Sequence, residues 1–319
     1  MNSRLTSPTL RGDTRSPKAA QTRRVARFKG QLGAYLFLLP GAFLFIAFIV
    51  WPMLYSLHIS FYNWKIVHPE QSVYIGFQNY IDALTDPIFQ RSVLNTLLYG
   101  LVTVPGQLVF GTLVALLLND RFPGRAFFRT VYYLPVITSW VIVTSLFEYL
   151  FNGQAGLVNF ILQSVGLIHA PIRWLADARL VMVPLTLLGI WKGVGWTAVI
   201  VLAGLQSIPT QLYEAAAIDG ANLRQRLRRI TLPLLRSTFV FLVVVLTIGA
   251  LNVYISGLLI DRAGSLQDEA HFVLTWMDKQ TFENFNFGQG AAISYLLTLV
   301  VFVVSLIQIR LLQPESDNS

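Results

Sequence analysis

The chain has 319 residues, of which 54% are hydrophobic and 13% charged, and it carries a net charge of +8 with no cysteine. A charged fraction about half the ~25% usual for soluble domains argues against an ordinary soluble enzyme and for a polytopic membrane protein. The missing cysteine excludes disulfides, thiolate metal sites and a cysteine nucleophile.

Residues 1–32 are polar and hold eight Lys or Arg against one Asp, which predicts a disordered, basic cytoplasmic arm. An Arg-rich, acid-poor start also suits an organelle transit peptide, the alternative reading. No small-residue cleavage site follows the first apolar run, so that run is read as an uncleaved anchor. Six segments are long and apolar enough to cross a bilayer, which takes ~20 residues each. They are 33–55, 93–118, 131–151, 181–204, 237–260 and 289–311. Pro40, Pro52, Pro105, Pro135 and Pro184 lie in or near them and read as tolerated kinks.

With the N-terminus inside, the inner segments carry 17 Lys or Arg and the outer ones 6. That bias predicts both termini in the cytoplasm, with residues 205–236 inside and 313–319 as a short cytoplasmic tail. The basic balance then reflects topology and contact with anionic lipid, and no nucleic-acid partner is needed. On the outer side, 76–96 reads as a helix interrupted near Asp86-Pro87 that runs into the second span. Segment 261–288 is longer and acidic.

No Gly-x-x-x-x-Gly-Lys-Ser/Thr, His-Glu-x-x-His or Gly-x-Ser-x-Gly occurs, so no catalytic residue is assigned. The four His are scattered, and no metal site is expected. Lys192 lies mid-span, where a charge costs about 2.5–3.5 kcal/mol on insertion scales. Trp191 and Trp196 flank it, and Gly189, Gly193 and Gly195 thin its helix. Either these residues line a substrate path, or Lys192 binds carbonyls or a carboxylate at a subunit interface. Glu148, near the outer end of the third span, reaches interfacial water or pairs with Lys192. Asn252 and Tyr254 are further pore candidates, with interhelical hydrogen bonding as the alternative.

Between the fourth and fifth spans, Tyr213–Leu235 holds Glu214, Asp219 and four Arg from Arg224 to Arg229. Lipid cannot solvate them, so the segment sits in water at a membrane face. Pro209-Thr210 suits a helix start, Gly220 a left-handed C-cap, and Asn222 with Gln225 an N-terminal box. Pro233 marks where the second helix yields. Two short helices about a sharp turn would offer a plug to a soluble partner.

Glu214-Ala215-Ala216, Gly220, then Ile230, Leu232 and Pro233 resemble the cytoplasmic coupling loop of bacterial ABC importer permeases. The preceding LAGLQSIP, with GFQNYIDALTDPIFQRSVLNT, FFRTVYYLPVITSWV and LFNGQAGLVN, resembles the carbohydrate-type first permease subunit. The resemblance covers 32–311. It implies an all-α polytopic bundle of six transmembrane helices over 33–312, with a two-helix coupling loop at about 205–236. It also implies a pore shared with a homologous second permease, two copies of an ABC ATPase, and an extracytoplasmic solute-binding protein in a bacterial inner membrane. ATP and Mg would bind the ATPase, this chain holding no cofactor and making no covalent bond. The coupling surface it implies comprises Glu214, Ala215, Ala216, Asp219, Gly220, Arg226, Ile230, Leu232 and Pro233. Where related permeases often carry a Gly-rich T-G-G-G-P turn, this chain has ISGLLIDRAGSLQDEAHF. Rival readings are the same fold importing glycerol phosphate or a compatible solute, an ion-coupled carrier or channel, and an integral membrane enzyme.

Overall fold

The computed structural model describes residues 35–120, 123–177, 179–263 and 270–312. The expected arm at 1–32 and the tail at 313–319 lie outside them. Helix α1, Tyr35–Ile59, belongs to a separate compact unit that ends at His58. Its turn at Ile46–Val50 is a π-turn, placed just before Pro52, whose missing N–H and ring disturb the preceding carbonyls.

The second unit opens with a two-residue hairpin, β1 (Tyr62–Asn63) against β2 (Val73–Tyr74). Helix α2 (Gln78–Thr85) stops at Asp86, whose carboxylate accepts from the Ile88 N–H and caps α3, Pro87–Asn119. The interruption at Asp86-Pro87 is therefore a stop and a fresh start, with proline at the first helical position. Pro105 sits inside α3 without ending it.

The third apolar segment departs from the expectation of one continuous span. It forms α4 (Arg125–Ile137) and α5 (Trp140–Leu150), bent by 95° across a two-residue break. Pro135, read from sequence as a tolerated kink, lies in the last turn before this break. A short helix, α6 (Leu157–Ser164), and an irregular stretch lead to α7, Met182–Gln206. The coupling segment follows as α8 (Thr210–Ile218) and α9 (Leu223–Arg226), a π-turn at Leu227–Thr231, and α10 (Leu232–Leu234). Helix α11 (Arg236–Leu251) continues after a short break into α12 (Ile255–Ala263). Helix α13 (Val273–Asp278) precedes the last span, α14, Phe287–Leu312. Among the described residues, five helices are long and apolar enough to cross a membrane, and the bent α4–α5 pair makes six.

The core of the second unit is the α3–α7 pair. Helices in lipid gain little from apolar burial against each other and associate through close packing of small residues. Here a Cβ at Gly111 would strike Thr197, one at Gly189 would strike Tyr99, and one at Gly193 would strike Gln107. Gln107 also donates to the Gly189 carbonyl at 3.1 Å. Leu185, Leu188 and Val201 of α7 and Ala115 of α3 are buried, whereas Leu101 and Leu117 on the outer face of α3 are exposed.

Helix α13 is held by polar ties. Asn95 donates to the His271 carbonyl at 3.0 Å, the Val273 N–H to Thr96 Oγ1 at 3.1 Å, and Trp276 Nε1 to Asp86 Oδ2 at 3.0 Å. These bonds join residues about 180 positions apart and dock the segment after the fifth span onto the start of the second.

Candidate functional site

The segment 205–236 has the two limbs expected of it, and local chemistry explains each end. Gly220 has φ of 77°, in the left-handed region. Its N–H donates to the Ala217 carbonyl at 3.1 Å, and the Ala221 N–H reaches back to Ala216 at 2.9 Å. That bond pair is the Schellman closure, which satisfies two of the last carbonyls of α8. Two residues later Asn222 and Gln225 exchange side chain–backbone bonds at 2.8 and 2.9 Å, a complete capping box. Tyr213 Oη and Thr231 Oγ1 join the two limbs at 3.0 Å.

The nine residues assigned to coupling separate into two groups. Glu214, Ala215, Asp219 and Gly220 are exposed on the first limb and at the turn, with Ala216 half-buried beside them. Arg226, Ile230, Leu232 and Pro233 lie on the returning limb. Arg226 Nε donates to the Ala221 carbonyl at 2.9 Å, so this side chain braces the turn. Leu232 lines a groove of about 350 Å³ with Leu227, Phe239 and residues of α3, where the limb rejoins the bundle. Pro233 again follows a π-turn. Two residues that sequence reasoning left out of the coupling set complete the apex: Ile218 is 87% and Leu223 82% exposed. Their signal was an aliphatic residue on each side of Asp219-Gly220, in a segment already placed in water.

The five pore candidates are not brought together. Lys192 and Trp196 share a cavity of about 300 Å³ with Tyr99, Gln107, Val136 and Trp140. Trp191 instead packs on Phe147, ring centroids 5.9 Å apart. Asn252 donates to the Ile248 carbonyl at 2.8 Å, and Tyr254 donates to Asp278 Oδ1 at 2.8 Å. The Tyr254 bond reaches the end of α13, as interhelical bonding would, whereas the Asn252 bond stays within the turn that ends α11.

Lys192 is 6% exposed. Its ammonium donates to the carbonyls of Pro135 at 2.7 Å and Thr138 at 2.6 Å, approaches that of Val136 at 3.5 Å, and sits 4.8 Å over the Trp140 ring. These are the carbonyls left open where α4 ends at the bend, and a cation at a helix C-terminus also meets the negative end of its dipole. The carbonyl-binding alternative for Lys192 is the geometry present, within one chain. No ion pair joins Lys192 to Glu148 among the described residues. Gln107 and Trp140 line the same cavity and were missed, because nothing in their own neighbourhoods marks them. No cluster of His, Asp or Glu suited to a metal occurs among the described residues.

The segment is a pair of short capped helices between two long apolar ones, and the chain as a whole is similar to known proteins. The chain is 32% identical to "Probable ABC transporter permease protein YurN" of Bacillus subtilis, over 89% of this chain and 97% of that one. It is 29% identical to the trehalose/maltose transport system permease protein of Thermococcus litoralis, over 91% and 96%. A bacterial alginate ABC transporter, solved in complex with its alginate pentasaccharide-bound periplasmic protein, has a chain that matches with a TM-score of 0.77 and 25% identity. That match covers 89% of this chain and 95% of the other. The model of the binding-protein-dependent transport system inner membrane component matches residues 107–315. The chain belongs to that family: it is a membrane-spanning permease subunit of a binding-protein-dependent ABC importer, a transport component and not an enzyme.

Proposed function

We propose that this permease imports a sugar or oligosaccharide. It forms the pore with a homologous second permease and takes solute from a binding protein outside. Two copies of an ATPase grip the loops, and ATP and Mg bind there. The observation that carries the coupling half of this reading is the exposed apex of 205–236, where Ile218 and Leu223 project beside Asp219 and Glu214. Exposed aliphatics ringed by charge suit a pocket on a soluble protein. The sugar half is supported by what the trehalose/maltose and alginate relatives carry, and by the Trp-lined cavity at Trp196 and Trp140. Both termini lie in the cytoplasm on the charge bias, which puts the apex on the ATPase side.

In this reading ATP binding draws the two ATPases together, carries both loops with them and tips the pore outward; hydrolysis resets it. The force passes by rigid-body motion because the apex is braced by the Schellman turn, the capping box and Arg226. The test is uptake in proteoliposomes made with the cognate second permease, ATPase and binding protein. Accumulation of the labelled oligosaccharide that the binding protein holds, dependent on ATP at the loop side, is the expected result. Accumulation driven by an ion gradient without the ATPase would refute it.

A further inference from the structure

Arg125 and Arg129 stand one turn apart at the start of α4, beside Gln206 at the end of α7. With its amide oxygen turned toward them, Gln206 accepts from Nη2 of Arg125 at 3.3 Å and from Nη2 of Arg129 at 3.2 Å. The Nε of each arginine is shut off from solvent and has no hydrogen-bond partner. No carboxylate pairs with either among the described residues. One neutral amide oxygen thus serves two like charges, and the charge of the pair is left uncompensated by the chain's described residues. An arrangement of this kind asks for an anion.

The space beside the pair says what kind. A cavity of about 550 Å³ runs from Arg129 and Gln206 between α4 and α7, along Leu134, Ile137, Val199 and Leu202. Ile137 is 71% and Leu134 56% exposed, in a helix that together with α5 is long and apolar enough to cross a membrane. From Arg129 to Ile137 the groove follows two helical turns, about 12 Å at 1.5 Å per residue. That is most of one leaflet of a ~30 Å hydrocarbon core. A cationic mouth on an apolar groove of leaflet depth fits an amphiphile with a negative head.

We propose that this is a binding site for an anionic phospholipid, the phosphate between the two guanidinium forks and an acyl chain along α4. Guanidinium groups match phosphate oxygens in a way that a single amide does not. Basic pockets between spans on the cytoplasmic side are where such head groups bind. The lipid braces α4 against the end of α7 at Gln206, three residues before Pro209, the N-cap of α8. The site depends on neither the identity of the solute nor the grip of the ATPase.

Native mass spectrometry of the full transporter complex tests it, after exchange into nanodiscs of equal parts phosphatidylglycerol and phosphatidylcholine. The parent complex retains phosphatidylglycerol selectively, and R125Q/R129Q holds it about thirty-fold more weakly, two phosphate contacts being lost. Val199→Trp fills the groove and leaves both arginines, and it too loses the lipid. R125K/R129K keeps the charge without the fork and gives an intermediate loss, which serves if the Gln pair does not assemble. Equal retention of both lipids by the parent, or unchanged retention in R125Q/R129Q, overturns the proposal. So does loss of the ATPase from R125Q/R129Q with lipid retained, which would give the arginines to a protein carboxylate. Inorganic phosphate alone, if it stabilises parent and Val199→Trp as well as the lipid stabilises the parent, assigns the site to a free anion and overturns it as well.

Discussion

Replacing Lys192 by Met tests the account of the broken span most directly. The substitution keeps length and apolar bulk and removes the ammonium that two carbonyls, at 2.7 and 2.6 Å, share at the end of α4. Hydrogen bonds to a charged group contribute about 1.5–3 kcal/mol each, so the pair is worth about 3–6 kcal/mol. The Trp140 face at 4.8 Å adds about 0.5–2 kcal/mol. Against this stands the cost of the charge itself in lipid, about 2.5–3.5 kcal/mol on insertion scales, which Met relieves in any state where the spans are inserted but not packed. The middle of these ranges is a net destabilisation of about 3 kcal/mol, within a span of about 0–5.5 kcal/mol, concentrated at the α4–α5 break. The assay is thermal unfolding of the purified complex for Lys192→Met, Trp140→Leu and the double variant. The two singles are expected to couple, because the ring and the ammonium touch. If Lys192→Met is as stable as the parent, uncoupled from Trp140, and still loses uptake, the side chain serves the solute and not the helix end.

Gly220→Pro and Glu214→Lys are expected to reach the membrane at normal levels but to give little uptake, with solute-stimulated ATP hydrolysis lost; full coupling in both would remove the loop assignment. At Gly220 the surroundings are open, so the damage is backbone alone: a φ of 77° costs an L-residue about 1–2 kcal/mol, and proline also loses the bond to Ala217. Gly193→Leu is expected to prevent assembly, since any side chain there meets Gln107 of α3; normal yield and stability would refute the packing account. Single cysteines at Ser207 and Gln71 of this cysteine-free chain are expected to react with an impermeant reagent only from inside and only from outside, respectively, and labelling of position 207 in intact cells would reverse the proposed orientation.

Much of this protein is legible in its sequence, where the deciding physics is local or is set by the solvent. Lipid demands runs of about 20 apolar residues, and five of the six appear as continuous or nearly continuous helices. The turn at Gly220 and the box at Asn222 and Gln225 close over three to five residues, so residue types at short spacing suffice to predict them. The stop at Asp86-Pro87 is local in the same way. Tertiary structure alone decided the rest. The 95° break of the third span is not written in its own residues, where Pro135 reads as one more tolerated kink. It persists because a lysine 54 to 57 positions away satisfies the carbonyls that the break opens. The gathering of Gln107, Trp140 and Trp196 around that lysine depends on α3 and α7 approaching through glycine. Tyr254 goes to Asp278 and Trp276 to Asp86 because the short helix α13 folds back on the bundle. A buried polar group must find a partner, but its sequence neighbourhood does not say which of many distant carbonyls or carboxylates the packing will bring to it.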